Sequence, residues 1–281
     1  MKRIFTLCAA VCAVITSFAQ QDTTAKQAPD TIKIGGMVII REAGGNKDTG
    51  SVREGIWKYR RRSSDKPGNV STNWWILDLG FSNYNDKTNY AGLDAQTFAP
   101  GATEDWLKLR AGKSRSVNIW VFMQRVNVIK HVVNLKYGLG LELNNYHFDN
   151  KSVRFSKSPT LITALPLDPT FQNVSKNKLA ADYLTVPIML NFNFTPTKRR
   201  NYGFSAGVSA GYLYSARQKV KEGGDVDKVK SDFDLRKWKI SYVGEVSLGV
   251  VKLYGSYAMK SMFEKGLDLT PYNVGLRFSN W

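Results

Sequence analysis

The chain has two cysteines among 281 residues, and both, Cys8 and Cys12, stand near its start. From residue 13 onward it has none, which excludes a structural disulfide or a thiolate nucleophile in that part. A zinc site of Cys/His type is excluded with them. Histidine is almost as scarce, with only His131 and His147. General-base chemistry by imidazole is therefore confined to two positions. Past the first 20 residues no window holds 18 consecutive apolar residues, so no helix is long and greasy enough to span a bilayer. Acid is in short supply: 23 Asp and Glu against 40 Lys and Arg give a net charge of +17.

What is present begins with a leader. Lys2 and Arg3 precede an apolar run from Ile4 to Phe18, and Ser17-Phe18-Ala19 offers small residues for cleavage. Residues 1–19 read as a secretory signal, too short for a spanning helix. A lipoprotein reading at Cys8 or Cys12 is weaker, since either would cut inside the apolar run. Losing Lys2 and Arg3 with the leader takes the charge from +17 to +15. Nucleic acid is the reflex partner for such a charge, but export and the lack of a nucleic-acid motif argue against it. Outer-membrane lipid and lipopolysaccharide, or another envelope polyanion, suit the charge better. A solubilising excess in loops is the plain alternative.

The central signal is VVNLKYGLGLELNNYHF, residues 132–148. Val133, Leu135, Tyr137, Leu139, Leu141 and Leu143 alternate with Asn134, Lys136, Gly138, Gly140, Glu142 and Asn144. A period of two defines a strand with one apolar face. Sustained over about 12 residues with a polar opposite face, it is the pattern of a tilted bilayer-spanning strand, apolar outward. The same pattern recurs in WWILDLGFSNY (74–84), within 106–128, in ADYLTVPIMLNFNF (181–194), YGFSAGVSAGYLYSA (202–216), WKISYVGEVSLG (238–249), VKLYGSYAMKSMF (251–263) and YNVGLRF (272–278). Trp75 is assigned outward and Trp74 inward. Both faces of 106–128 are partly apolar, so its orientation is open. Pro187 cannot donate to a ladder, and a bulge is expected there. The Gly/Ser inner face of 202–216 fits a cramped interior.

The connections between these segments run long, short, long, short, long, short, medium. Outer-membrane barrels have long outer loops, short periplasmic turns, an even strand number and both termini inside. The chain thus reads as all-β, an eight-stranded antiparallel up-and-down transmembrane β-barrel over residues 74–281. Residues 20–73 form a periplasmic N-terminal segment with a short hairpin in IKIGGMVIIRE and a basic cluster, Lys58 to Arg62. Localisation in the bacterial outer membrane follows.

The stretches GLGLELNNYHFDN, YLTVPIMLNFNF, SAGVSAGYLYSARQKVK, VKSDFDLRKWKISYVGEVSLG, VKLYGSYAMKSMFEKG and YNVGLRF resemble the outer-membrane β-barrel family called PorT-like. IKIGGMVII resembles a leader that some members carry before the barrel. The resemblance covers roughly residues 30–278 and concerns architecture, not activity; the family's secretion and gliding context is not carried over. One departure stands out. Such barrels usually end on an outward aromatic, whereas Trp281 falls in the inward phase set by Phe278.

An eight-stranded barrel has an interior just wide enough for side chains. Inward Asp78, Glu142 and Glu245 are expected to pair with Lys136, Lys239, Lys252, Lys260 and Arg277, because unpaired buried charge is costly. These are structural charges; no catalytic residue, cofactor or metal is assigned. The enzyme alternative is a lipid-modifying or proteolytic barrel with His147, Asp149, Ser152 and Ser156 near the outer rim; His131 falls in a periplasmic turn. A narrow channel is a further alternative, and a soluble lipocalin-type barrel is disfavoured by the outward apolar face. Gly112-Lys113-Ser114 lacks the earlier glycine of a phosphate loop, since position 107 is Leu. The expected role is non-enzymatic: a structural or interaction barrel that meets an envelope protein partner through its long loops or its periplasmic segment.

Overall fold

The computed structural model describes residues 31–34, 37–40, 68–157, 161–164, 174–196, 201–249 and 251–279. The expected signal peptide, the basic cluster at 58–62 and Trp281 lie outside the described residues. The chain divides into two units, residues 1–61 and 62–281. In the first, β1 (Thr31–Ile34) and β2 (Met37–Ile40) pair as an antiparallel hairpin.

In the second unit, eight strands close a ring. They are β3 (Val70–Asp86), β4 (Arg115–Ile129), β5 (Val133–His147), β8 (Val174–Asn193), β9 (Asn201–Glu222), β11 (Trp238–Gly249), β12 (Val251–Ala258) and β13 (Leu269–Phe278). Each pairs antiparallel with its neighbour in sequence, and β13 returns to β3. Closure leaves no bare sheet edge in the wall, which lipid would not tolerate. Two short strands, β6 (Val153–Phe155) and β7 (Ile162–Ala164), form a separate hairpin in the connection from β5 to β8. A further strand, β10 (Asp225–Lys230), pairs with the far end of β9. The connection from β3 to β4 carries a short helix, α1 (Leu93–Phe98), and a 3-10 turn (Glu104–Leu107).

Alternation is clearest in β5, where inward Asn134, Lys136, Glu142, Asn144 and Tyr146 are buried and their neighbours half-exposed. On the outer surface Phe204, Val208, Tyr212, Ile240, Val246, Leu253 and Leu276 stay exposed. From Phe204 to Tyr214 the chain advances about 34 Å, or about 26 Å along the membrane normal at a 40° tilt, which matches the ~25 Å apolar band of such barrels. Tyr212 packs on Trp238 with ring centroids 5.1 Å apart, part of an aromatic rim at the end that bears the long connections. Trp74 and Trp75 mark the opposite end. There Lys130 and His131 take φ of 47° and 60° in the tight turn from β4 to β5, the left-handed pair that a two-residue hairpin needs.

The structure changes several expectations. Strand β3 begins at Val70, ahead of Trp74. Trp74 and Trp75 both face out, 60% and 71% exposed, because Trp75 sits at φ 57° and breaks the alternation. On β4 the register shifts between Trp120 and Phe122. This bulge turns Trp120 and Met123 both inward, onto Ile76 and Met189, and explains why both faces of that strand are apolar. Within 106–128 the strand itself begins at Arg115, and Leu107 and Leu109 precede it. No register shift falls at Pro187, which pairs in register with Ser209. Toward β5 the ladder passes from Tyr137↔Ile188 to Gly140↔Thr185, a gap where the N–H is missing. The bulge in that region lies at Asp182/Tyr183.

Stretch 217–237 is not simply a loop, because β9 runs on to Glu222 and turns through Gly223 into β10. Likewise β8 starts at Val174, inside the stretch expected as loop. Strand β12 stops at Ala258, so Met259–Phe263 leaves the wall.

Close strand packing depends on glycine. A Cβ at Gly207 would overlap the Ile188 carbonyl oxygen and come within 2.6 Å of the Met189 Cα. At Gly244 the nearest atom, the Ser205 carbonyl oxygen, is 3.9 Å away. Gly207→Val is therefore expected to abolish the compact species that resists SDS before heating, and Gly244→Ala to retain it; equal behaviour of the two variants contradicts the packing described.

Candidate functional site: the filled interior and its outer cap

The interior holds a network of charge. Arg277 lies between two carboxylates. Its Nε and Nη2 donate to the two oxygens of Asp78 at 2.7 and 2.8 Å, and its Nη1 donates to Glu245 Oε2 at 2.6 Å. Lys136 Nζ donates to both oxygens of Glu245 at 2.8 Å. Trp120 Nε1 donates to Asp78 Oδ2 at 2.7 Å, and the Arg277 guanidinium lies 5.5 Å from the Trp120 ring centre. A second centre surrounds Glu142, which accepts from Lys239, from Asn273 at 3.0 Å and from Asn144 at 3.2 Å. Lys239 also lies 4.5 Å from the Tyr183 ring centre. The guanidinium fork lets Arg277 hold Asp78 at two points and Glu245 at a third, so one planar group bridges two carboxylates.

Seven of the eight expected interior charges, Asp78, Lys136, Glu142, Lys239, Glu245, Lys252 and Arg277, are at most 7% exposed. Lys252 donates to Ser279 Oγ at 2.5 Å. Lys260 is the exception. The inward phase of β12 does not reach it, because the strand ends at Ala258, and its side chain is exposed. Sequence reasoning missed Trp120, Asn144, Tyr183 and Asn273 as partners of the network, and Tyr254, whose ring centre lies 5.8 Å from the Arg277 guanidinium. Inward phase alone pointed to Asn144, Tyr183 and Asn273; the β4 bulge hid Trp120.

Above the network the long connections close over the barrel end. Phe98, Leu107, Phe148, Val153, Phe155, Ile162, Phe233, Leu235, Phe263 and Leu267 form one buried cluster with Tyr146, Leu179, Tyr183 and Leu213 from the wall. Phe155 meets Phe148, Phe233 and Phe263 with ring centroids 5.8, 5.4 and 6.5 Å apart. The buried Gln218 side chain holds the β6–β7 hairpin against the wall. It accepts from Phe155 N at 2.9 Å and donates to the Val153 carbonyl and Asn177 Oδ1 at 2.9 Å.

Of the rim residues considered for catalysis, Asp149 and Ser156 have their side chains drawn into other contacts. Asp149 pairs with Arg110 at 2.8 Å, and that hydrogen bond holds its carboxyl below the ordinary carboxylate range. Ser156 Oγ accepts from Leu161 N at 2.9 Å. Ser152 N donates to Asn150 Oδ1 at 2.9 Å. His147 ends β5 opposite Lys178, its backbone N–H donating to Ser114 Oγ at 2.9 Å. His131 sits in the turn at the other end. Among the described residues no group of three or more His, Cys, Asp or Glu could hold a metal ion, and no helix is long and apolar enough to cross a membrane.

A closed eight-stranded ring with an apolar outer belt, a polar filled interior, short turns at one end and long connections at the other defines a small bacterial outer-membrane barrel. The family described as outer membrane protein beta-barrel domain matches residues 79–264, more than half of the chain, and the chain belongs to it. Among solved structures it is similar to Ail, the attachment invasion locus protein of Yersinia pestis. Identity is 10%, with 74% of this chain and 98% of that chain covered and a TM-score of 0.30. No curated protein matches the sequence.

Because Arg277 separates two buried carboxylates, truncating it leaves both without their shared partner. Arg277→Met is expected to destabilise the barrel by about 3–5 kcal/mol in urea unfolding of the refolded protein. A loss under about 1 kcal/mol, the range of a solvated pair, would show that the interior is wet and the network dispensable.

Proposed function

We propose that this protein is a non-enzymatic outer-membrane barrel that acts by presenting a folded outer surface to a partner, as a structural or interaction protein. The observation that carries this reading is the buried apolar cluster at the outer end. All four connections at that end contribute side chains to it, so they form a defined surface rather than a ring of separate loops. The interior supports the same reading, since its carboxylates are each bonded to several partners. Asp149 and Ser156, the rim groups a hydrolase would need to aim at His147, are engaged by Arg110 and Leu161. The motif resemblance to the PorT-like barrels is the finer family placement within this proposal; no secretion role is carried over.

The competing reading is a lipid-modifying or proteolytic barrel centred on His147. Its test is the acyl and phosphate profile of lipid A, with outer-membrane protease activity, in cells expressing the wild type, His147→Ala or no protein. The interaction reading expects all three to be alike. Loss of a lipid A modification or a cleavage product in the His147→Ala cells would overturn it.

A further inference from the structure

The wall built by β8, β9 and β10 continues beyond the apolar belt, and its outer surface is basic. Strand pairing sets the rows. His147, Lys178, Lys219 and Lys228 stand opposite one another across four strands. Arg217 faces Lys230 in the row on one side of these, and Lys176 faces Lys221 in the row on the other. The alternate residues Asn177, Leu179, Gln218 and Val220 are buried beneath the cap, so the cations share the outer face. Asp225 and Asp227 pair with Glu222 and Val220, in the opposite phase. Among the described residues of the cationic face the acid is Asp182, which is 3% exposed and bonded to Arg217 at 2.5 Å. Among the described residues Lys176, Lys178, Lys219, Lys221, Lys228 and Lys230 form no ion pair.

Like charges directly opposite on neighbouring strands destabilise a sheet. A fold that sets lysines opposite lysines without interleaved acid has a counter-charge outside the chain. Position identifies it. From Tyr214 at the aromatic rim to Lys219, β9 advances about 17 Å, or about 13 Å along the normal at a 40° tilt. These side chains project sideways from the wall beyond the apolar belt, on the side where the phosphorylated headgroups of the outer leaflet lie. Long lysine stems also reach toward such an interface.

We propose that the outer face of β8–β9–β10, with Lys176, Lys178, Lys219 and Lys221 at its centre and Lys228 at its flank, is a docking surface for the phosphorylated glycolipid of the outer leaflet. It binds the phosphates, and the aromatic rim below meets the boundary between headgroups and acyl chains. The inference deepens the interaction reading and rests on it, since an enzyme acting on the same lipid would need only transient contact. The two fail separately: the lipid A profile tests that reading, and equilibrium binding tests this one.

The experiment titrates the full chain, refolded in a zwitterionic detergent, with lipid A and with enzymatically dephosphorylated lipid A, at low and high salt. Two variants carry the same change in net charge: K176Q/K178Q/K219Q/K221Q on the wall, and K87Q/K108Q/K151Q/K265Q on the connections. Mobility of unboiled protein confirms that each is folded. If the wall variant does not fold, K219Q/K221Q replaces it. The wall variant is expected to lose about ten-fold or more in affinity, in line with the contribution of each lysine near an anionic surface. The connection variant should bind like the wild type, and removing the phosphates should weaken wild-type binding by a similar factor. Equal losses in the two variants, or equal binding of dephosphorylated lipid A, would overturn the proposal.

Discussion

Every backbone N–H and C=O in this wall must find a partner inside the chain, because the bilayer core offers none. Much of the structure follows from that constraint. It requires the ring to close, so β13 pairs with β3 along its length. Closing on eight strands leaves an interior only as wide as the side chains that fill it. The interior must then be small where strands approach, as at Gly207 against Met189. Where it is large and charged it must be paired, as at Arg277 between Asp78 and Glu245. A lone charge in that space would cost several kcal/mol, and Asp78, Glu142 and Glu245 are each ion-paired.

The same closure forces the wall to bend. Trp75, at positive φ, and the shift after Trp120 are where β3 and β4 change phase together. The result is functional in the packing sense: Trp120 is brought inward to donate to Asp78, and Trp74 outward to the aromatic belt. Beyond the apolar belt the constraint relaxes, and the connections behave like a small soluble domain. Phe155 and its aromatic neighbours form an apolar core there, while the outer face of the extended β8–β9–β10 wall keeps its lysines.

How much of this was legible in the sequence depends on whether a feature is periodic. Strand β5 was legible almost residue by residue, since its alternation runs unbroken from Val133 to His147. So were the ring and its two unequal ends, because connection lengths are read directly. The interior charges were legible as a set, by phase, but not as pairs: phase says that Arg277 points inward, not that it divides itself between Asp78 and Glu245. Phase also failed where a strand ended, and Lys260, one position of alternation past Ala258, lies outside. The extension of β9 to Glu222 was hidden because Arg217, Lys219 and Lys221 look like loop. Only Gln218 and Val220 between them carry the inward face. The cap was the least legible part, since its aromatics are scattered singly through four connections.

The account stands on an interior that is filled and closed by its own side chains. Conductance in a planar bilayer is the most direct measure of that. Refolded wild-type protein should add no step above the lipid background at any voltage the bilayer tolerates. Stable, discrete steps that scale with salt concentration would mean a continuous water path past Arg277 and through the apolar cap, and would contradict the account.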